Sequence, residues 1–442
     1  MRIVLGAEEA RRSLLLRSTL DEPDLPPVVR ETIRRVFGAE LDAATVVSRI
    51  LADVRENGDA AVRKYNREID GVRVDCPMQV SPDEVRDAYS RVESSLVEAL
   101  RLAASRIESY HRMQLKHAAR SFEQGGLGQI VRPISRVGLY VPGNAVIYPS
   151  TLLMTAIPAR VACVTELVVV TPTKEDGSVA DLKLVAADIA GVKAIFRAGG
   201  VQGIAALAYG TETVSRVDKI CGPGNIFVTL AKKQLFGQVG IDGVFGPSET
   251  LVLADARADP RLVSADMVAG AEHDELATAV LLTDSQALAE AVGAIVDQEI
   301  RKIARADAAQ MALDARGGAV VVDSIDEAID LANEFAAEHL CLHLDDAERY
   351  IDRIRNAGCV FAGQYSVESV GDYTAGPSHV MPTGGSARYS SALGVHDFLK
   401  VTSLVRLDRA VVAEIGPAGV AIGYAEGLAG HARAIETRLT NE

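Results

Sequence analysis

The sequence predicts an α/β protein built on two parallel sheets. From Arg136 onward, short β-branched runs alternate with helical stretches, the spacing of a parallel sheet covered on both faces. The alternation restarts near Thr250, which asks for a second sheet. A chain of 442 residues with 48% hydrophobic residues also has material for more than one core, since single cores stop growing somewhere beyond roughly 250 residues.

Residues 1–35 are charged and carry Pro23, Pro26 and Pro27, so they read as an arm that packs on something else, such as another subunit. From Ala43 to about Ala119 the apolar spacing is helical, as in Val97, Leu100, Ala104 and Ile107. The first set of strands is Val137–Val141, Leu167–Thr171, Ala194–Arg197 and Val217–Cys221, with a helix over Ala180–Ala190. The second is Thr250–Ala254, Ala279–Thr283, Ala319–Val322, Leu340–Leu344 and Cys359–Ala362, with helices over Ser285–Ala304 and Asp326–Ala337. The chain then breaks at Gly416-Pro417 and closes with a helix from Ala418 to Leu439. No internal repeat or low-complexity tract is present.

Composition narrows the function. A net charge of -14 without a long Lys/Arg run argues against nucleic acid or an anionic membrane surface, because phosphate recognition needs concentrated positive charge. Small-molecule chemistry or protein partners remain. The five cysteines form no CxxC pair and no secretory apolar segment follows Met1, so a reducing cytoplasm is expected. No apolar run reaches the roughly 18 residues of a membrane span.

The eight histidines are few, and several lie beside carboxylates. His273 falls near the end of a helix started by Asp259-Pro260, Asp as cap and Pro at the first helical position. Asp372 and His379 lie in a loop shaped by Gly371, Gly376, Pro377, Pro382, Gly384 and Gly385. His431 shares a helical stripe with Tyr424, Leu428 and Ile435. Alone it reads as a satisfied core histidine; with His273 and Asp372 it completes a two-histidine, one-carboxylate set suited to Zn²⁺ with a position left open.

Glu338 and His339 close a helix and open a strand in which His339, Cys341 and His343 alternate with leucines. One reading is a half-buried strand with a polar face. The other makes His339 a proton acceptor and Glu338 a second base or water activator. A Cys341 acyl-transfer pair is the weakest reading, because alternate strand positions seldom meet. The loops Gly222-Pro-Gly-Asn225 and Gly246-Pro-Ser-Glu249 adjoin strands, and the first opens a helix whose amides offer an anion site. No GxGxxG fingerprint follows a strand.

Taken together, the chain resembles the histidinol dehydrogenase family over nearly its whole length. The matching stretches are Val137-Gly-Leu-Tyr-Val-Pro-Gly143, Val217-Asp-Lys-Ile-Cys-Gly-Pro-Gly-Asn225, Gly246-Pro-Ser-Glu249, Ala271-Glu-His273, Glu338-His-Leu340, Gly371-Asp-Tyr373 with His379-Val380, and Ala425-Glu-Gly427 with His431. The resemblance implies a zinc- and NAD-dependent homodimer that oxidises L-histidinol through L-histidinal to L-histidine, reducing two NAD, in histidine biosynthesis. It implies two incomplete Rossmann-like domains, with small terminal elements exchanged between subunits. The boundaries expected are an arm over 1–35, a discontinuous first domain over 36–139 and 250–393, a second over 140–249, and a C-terminal helical element over 394–442. It makes His273, Asp372 and His431 the ligands of one zinc per site, and places Ser248, His339, Glu368, His379 and Glu426 on the substrate. Tyr140, Gln202 and Asn225 match NAD contacts, His339 the base and Glu338 the water activator.

The resemblance is broken at Gly270, where the family carries a metal-ligating glutamine, and at Asn144, where a second glycine is usual. A glutamine restored at 270 is expected to strengthen zinc retention. Glu426 and His431, five residues apart, diverge on one ideal helix unless Gly427 and Gly430 loosen it. Two alternatives follow from Gly270: a related dehydrogenase acting on another alcohol such as a sulfopropanediol, or a catalytically dead nucleotide- or metal-binding homologue. Glu368, His379 and Glu426 favour an amine- and imidazole-bearing substrate over a sulfonate.

Overall fold

The computed structural model of the chain describes residues 1–17, 25–143 and 146–440. Pro23 and Asn144 lie outside the described residues. The chain divides into two units, Met1–Lys116 with Ile134–Phe398, and His117–Pro133 with Leu399–Glu442.

The first unit contains the two parallel sheets expected. One runs in the order Ile3–Leu5, Gly317–Val321, Thr278–Thr283, Glu249–Ala254, His339–His343, Cys359–Ala362. The other runs Ala194–Arg197, Glu166–Thr171, Arg136–Tyr140, Lys219–Cys221, Gly240–Ile241, and all neighbours in both are parallel.

Two central strands of the first sheet, Glu249–Ala254 and His339–His343, are buried at every position, because helices cover both faces. Their side chains divide by the period of two. Leu251, Leu253, Leu340 and Leu342 meet the helix Ile325–Phe335 through Ile329, Ala332 and Phe335. Val252, Ala254 and Cys341 face the helix Pro260–Glu272 through Val263, Met267 and Ala271. The half-buried strand with one polar face is therefore not found: His339 and His343 are polar groups inside a core.

The first residues are not an arm. Ile3–Leu5 is the edge strand of the first sheet, and Val4, Ala7, Ala10 and Leu14 are buried against it. The prolines drew the sequence reading away from this short apolar spacing. The helix Pro27–Phe37 likewise buries Ile33 in the core of the second sheet.

The second unit pairs an antiparallel sheet, in the order Leu399–Val405, Leu127–Pro133, Phe122–Gln124, with the helices Arg409–Ala425 and Ala429–Thr440. The antiparallel sheet was not anticipated. Nor does the chain break at Gly416-Pro417, since Pro417 lies inside a helix. A mid-helix proline costs about 3 kcal/mol. Packing offsets it here: Gly416 lets the second helix come so close that a Cβ would stand 3.1 Å from Ile435 and Leu439. The break falls at Gly427, with φ +77. Glu426 and His431 thus sit on either side of a turn, and the stripe of Tyr424, Leu428, His431 and Ile435 does not run along one helix.

Candidate active site

The helix Pro260–Glu272 starts where the Asp259 side chain accepts the Arg261 amide and ends at His273. His273 Nδ1 lies 3.1 Å from the Ala269 carbonyl, which leaves Nε2 to face Asp372, 3.7 Å from its Oδ2. Asp372 is not in an irregular loop but in a wide helical turn, Gly371–Ala375, directly after the short helix Glu368–Val370. That turn aims Glu368 and Asp372 at the start of the strand His339–His343.

Glu338 and Glu368 are anchored from the neighbouring strand Glu249–Ala254. Glu338 Oε2 accepts the Glu249 amide at 3.1 Å, and Glu368 Oε1 accepts the Thr250 hydroxyl at 3.0 Å. His379 is held at both nitrogens, Nδ1 at 2.9 Å from the Asp372 carbonyl and Nε2 at 3.1 Å from Thr151 Oγ1. A cavity of about 330 Å³ adjoins it, lined in part by Phe361, Val367, Val370, Gly371 and Met381.

His339 occupies the middle, with 3% of its surface exposed. Nδ1 stands 3.6 Å from Glu368 Oε1 and 3.7 Å from Glu338 Oε2, and Nε2 stands 3.7 Å from Asp372 Oδ1. Neither nitrogen has a hydrogen-bond partner. Burial would lower its pKa, but Glu368, Glu338 and Asp372 outweigh burial and raise it to about 10. Burial pushes Glu338 up to about 8 and Glu368 upward as well. At Asp372 burial acts upward too, yet the facing imidazoles win and hold it below the usual carboxylate range. His379 is lowered, chiefly by burial.

One ligand atom from each of His339, Glu368 and Asp372 lies within 4.8 Å of the others. Two unpartnered imidazole nitrogens facing buried carboxylates are the donor set a divalent cation completes, so these residues fit a metal. Cys341 offers no nucleophile: its thiol is buried 3.8 Å from Glu368 Oε2, and burial drives its pKa well up.

A sequence model of the histidinol dehydrogenase family matches residues 34–439. The chain belongs to that family. A histidinol dehydrogenase of Dehalococcoides mccartyi (strain CBDB1) is 46% identical over 99% of this chain and 100% of its own. One from Moorella thermoacetica is 48% identical over 94% and 99%. The crystal structure of histidinol dehydrogenase from Elizabethkingia anophelis superimposes with a TM-score of 0.89 at 33% identity, over 99% of this chain and 98% of that one.

Against the family pattern, the first unit brings together His273, Glu338, His339, Glu368, Asp372 and His379. Glu426 and His431 belong to the second unit and are exposed there. Ser248 is half-buried just before Glu249–Ala254, its carbonyl accepting the Thr278 amide. Tyr140 and Gln202 are buried: the Tyr140 hydroxyl accepts the Gly200 amide, and Gln202 donates to Asn66 and Asp70. Asn225 caps its helix through the Phe227 and Val228 amides. The anion-receiving loop is thus partly occupied, since Asp242 also takes the Gly222 amide and Lys232 donates to the Gly222 carbonyl.

Sequence reasoning missed Thr250, Thr151 and Arg17. Arg17 forms a two-pronged pair with Glu249, whose amide holds Glu338. One signal was available, a glutamate and a threonine opening the otherwise apolar strand Glu249–Ala254.

Proposed function

We propose that this chain is an NAD-dependent, metal-assisted alcohol dehydrogenase that oxidises L-histidinol through L-histidinal to L-histidine in the histidine biosynthetic route. The observation that carries the reading is His339, an unpartnered buried imidazole ringed by Glu338, Glu368 and Asp372. When bound, NAD supplies the hydride acceptor and zinc a fixed point for the substrate's amine and imidazole nitrogens.

His339 accepts the alcohol proton as the carbinol hydride leaves. Against burial, Glu368, Glu338 and Asp372 raise its pKa to about 10; His273 and Asp372 would hold the metal, whose positive charge would offset part of that carboxylate ring and favour the neutral, proton-accepting imidazole. In the second half-reaction Glu338 takes a proton from the water that adds to the aldehyde, and the hydrate yields the second hydride. A carboxyl raised to about 8 by burial suits that task near neutral pH.

His273 and Asp372 are the metal ligands this reading takes from the first unit, supported by the 3.7 Å between His273 Nε2 and Asp372 Oδ2, and the resemblance adds His431 to the metal and Ser248, His339, Glu368, His379 and Glu426 to the substrate. The same resemblance puts Tyr140, Gln202 and Asn225 at NAD and makes the enzyme a homodimer, while the scattered cysteines favour the cytoplasm. Among the described residues no helix is long and apolar enough to cross a membrane. Buried carboxylates disfavour the sulfonate-bearing alternative. The test is NADH formation and metal content together. Two NADH per L-histidinol with bound zinc support the reading, turnover only with a sulfopropanediol supports that alternative, and a folded protein with neither metal nor turnover overturns both. Loss of zinc on His431→Ala tests that residue's assignment.

A further inference from the structure

We infer that Glu368, which the resemblance puts on the substrate, is here itself a ligand of the metal, fixed in that role by the Thr250 hydroxyl. This inference rests on the functional reading above. Glu338, Glu368 and Asp372 are buried carboxylates, and among the described residues none of them pairs with a lysine or arginine. Glu368 is the most enclosed of the three, at 1% exposure. Its neighbours are one neutral donor, Thr250, a thiol at 3.8 Å, and the His339 imidazole, whose Nδ1 stands 3.6 Å from Oε1 and which Glu338 and Asp372 share. Three buried carboxylates faced only by imidazoles call for a further cation. The atoms that converge with it, from Asp372 and His339, include an imidazole with no partner at either nitrogen.

The opposing helix explains why the carboxylate must come from this side. On that helix Gly270 packs against Thr250 with no side chain, and the space a Cβ would take there is filled by Thr250. Thr250 therefore occupies the position from which position 270 would approach, and it directs Glu368 inward in the same stroke. Glu368 and Asp372, four residues apart across one wide helical turn, then present carboxylate oxygens to one point.

The probe is Co²⁺ loaded into the full-length protein, read by its visible absorption and by competition with a chelator. Glu368→Gln should weaken Co²⁺ binding more than ~100-fold and change the absorption envelope. Thr250→Val should weaken it ~10-fold, with Thr250→Ser restoring it, because a hydroxyl that orients a ligand has an effect of that size. Metal-free thermal unfolding of each variant separates loss of fold from loss of a ligand, and Glu368→Asp serves should the glutamine variant fail to fold. Unchanged Co²⁺ affinity and spectrum in a folded Glu368 variant overturn the inference while leaving the functional reading intact. A wild-type protein that binds neither Co²⁺ nor zinc overturns both.

Discussion

The Cβ that Gly270 lacks would stand 2.3 Å from Thr250 Oγ1 and 2.6 Å from Thr250 Cβ. A glutamine at 270, expected to strengthen zinc retention, must first displace a strand residue whose Cβ cannot swing away. Gly270→Ala should destabilise the fold by about 1–3 kcal/mol despite alanine's better helix propensity. Thr250→Gly removes the obstructing atoms, so the double variant should be more stable than the sum of the single losses predicts, by at least about 1 kcal/mol. Urea unfolding of the four proteins measures this, and strict additivity would show that the two residues do not touch.

His339→Asn should lower turnover by roughly 10²- to 10⁴-fold, the usual share of a positioned proton acceptor. The metal should stay, since His273, Glu368 and Asp372 remain. Turnover and zinc content are measured on the same preparation. Loss of zinc would move His339 from base to ligand.

Glu338→Gln should separate the two half-reactions. The glutamine carbonyl still accepts the Glu249 amide, so the site keeps its shape while the second proton acceptor is gone. NADH formed per L-histidinol should fall from two toward one in a single turnover, and oxidation of added L-histidinal should slow by roughly 10²-fold or more. Equal slowing of both steps would remove Glu338 from the water-activating role.

The two parallel sheets were legible because β-branched runs are local signals, and His273, Glu338, His339, Asp372 and His379 stood out singly as histidines and carboxylates beside apolar runs, but that they share one site came from the family resemblance. Glu368 and its neighbours joined them through the family resemblance. What stayed hidden depends on contacts distant in sequence. Thr250 matters because it lies across from Gly270 and Glu368, and Val4 is core because it pairs with Val320. Pro417 read as a break because its cost is local, whereas the packing of Gly416 on Ile435 and Leu439 that offsets it is not.

Asp70, against the Gln202 that the resemblance puts at NAD, sets a pH dependence of stability. Its carboxyl is embedded beside Gly199 and Gln202, whose Nε2 donates to it at 2.9 Å, and burial pushes its pKa up to about 7. Between the ordinary value of 3.8 and about 7 the folded protein keeps a proton that the unfolded chain releases. The folded state binds more protons there, so stability falls as pH rises through that window and the loss is complete above it. Allowing for partial exposure, the loss is on the order of 2 kcal/mol. Asp70→Asn retains an acceptor for Gln202 and carries no charge, so it should gain stability relative to the wild type as pH climbs from 4 to 7. Urea midpoints at pH 5, 6, 7 and 8 give the comparison, and parallel profiles for the two proteins would show that Asp70 titrates as an ordinary surface carboxylate.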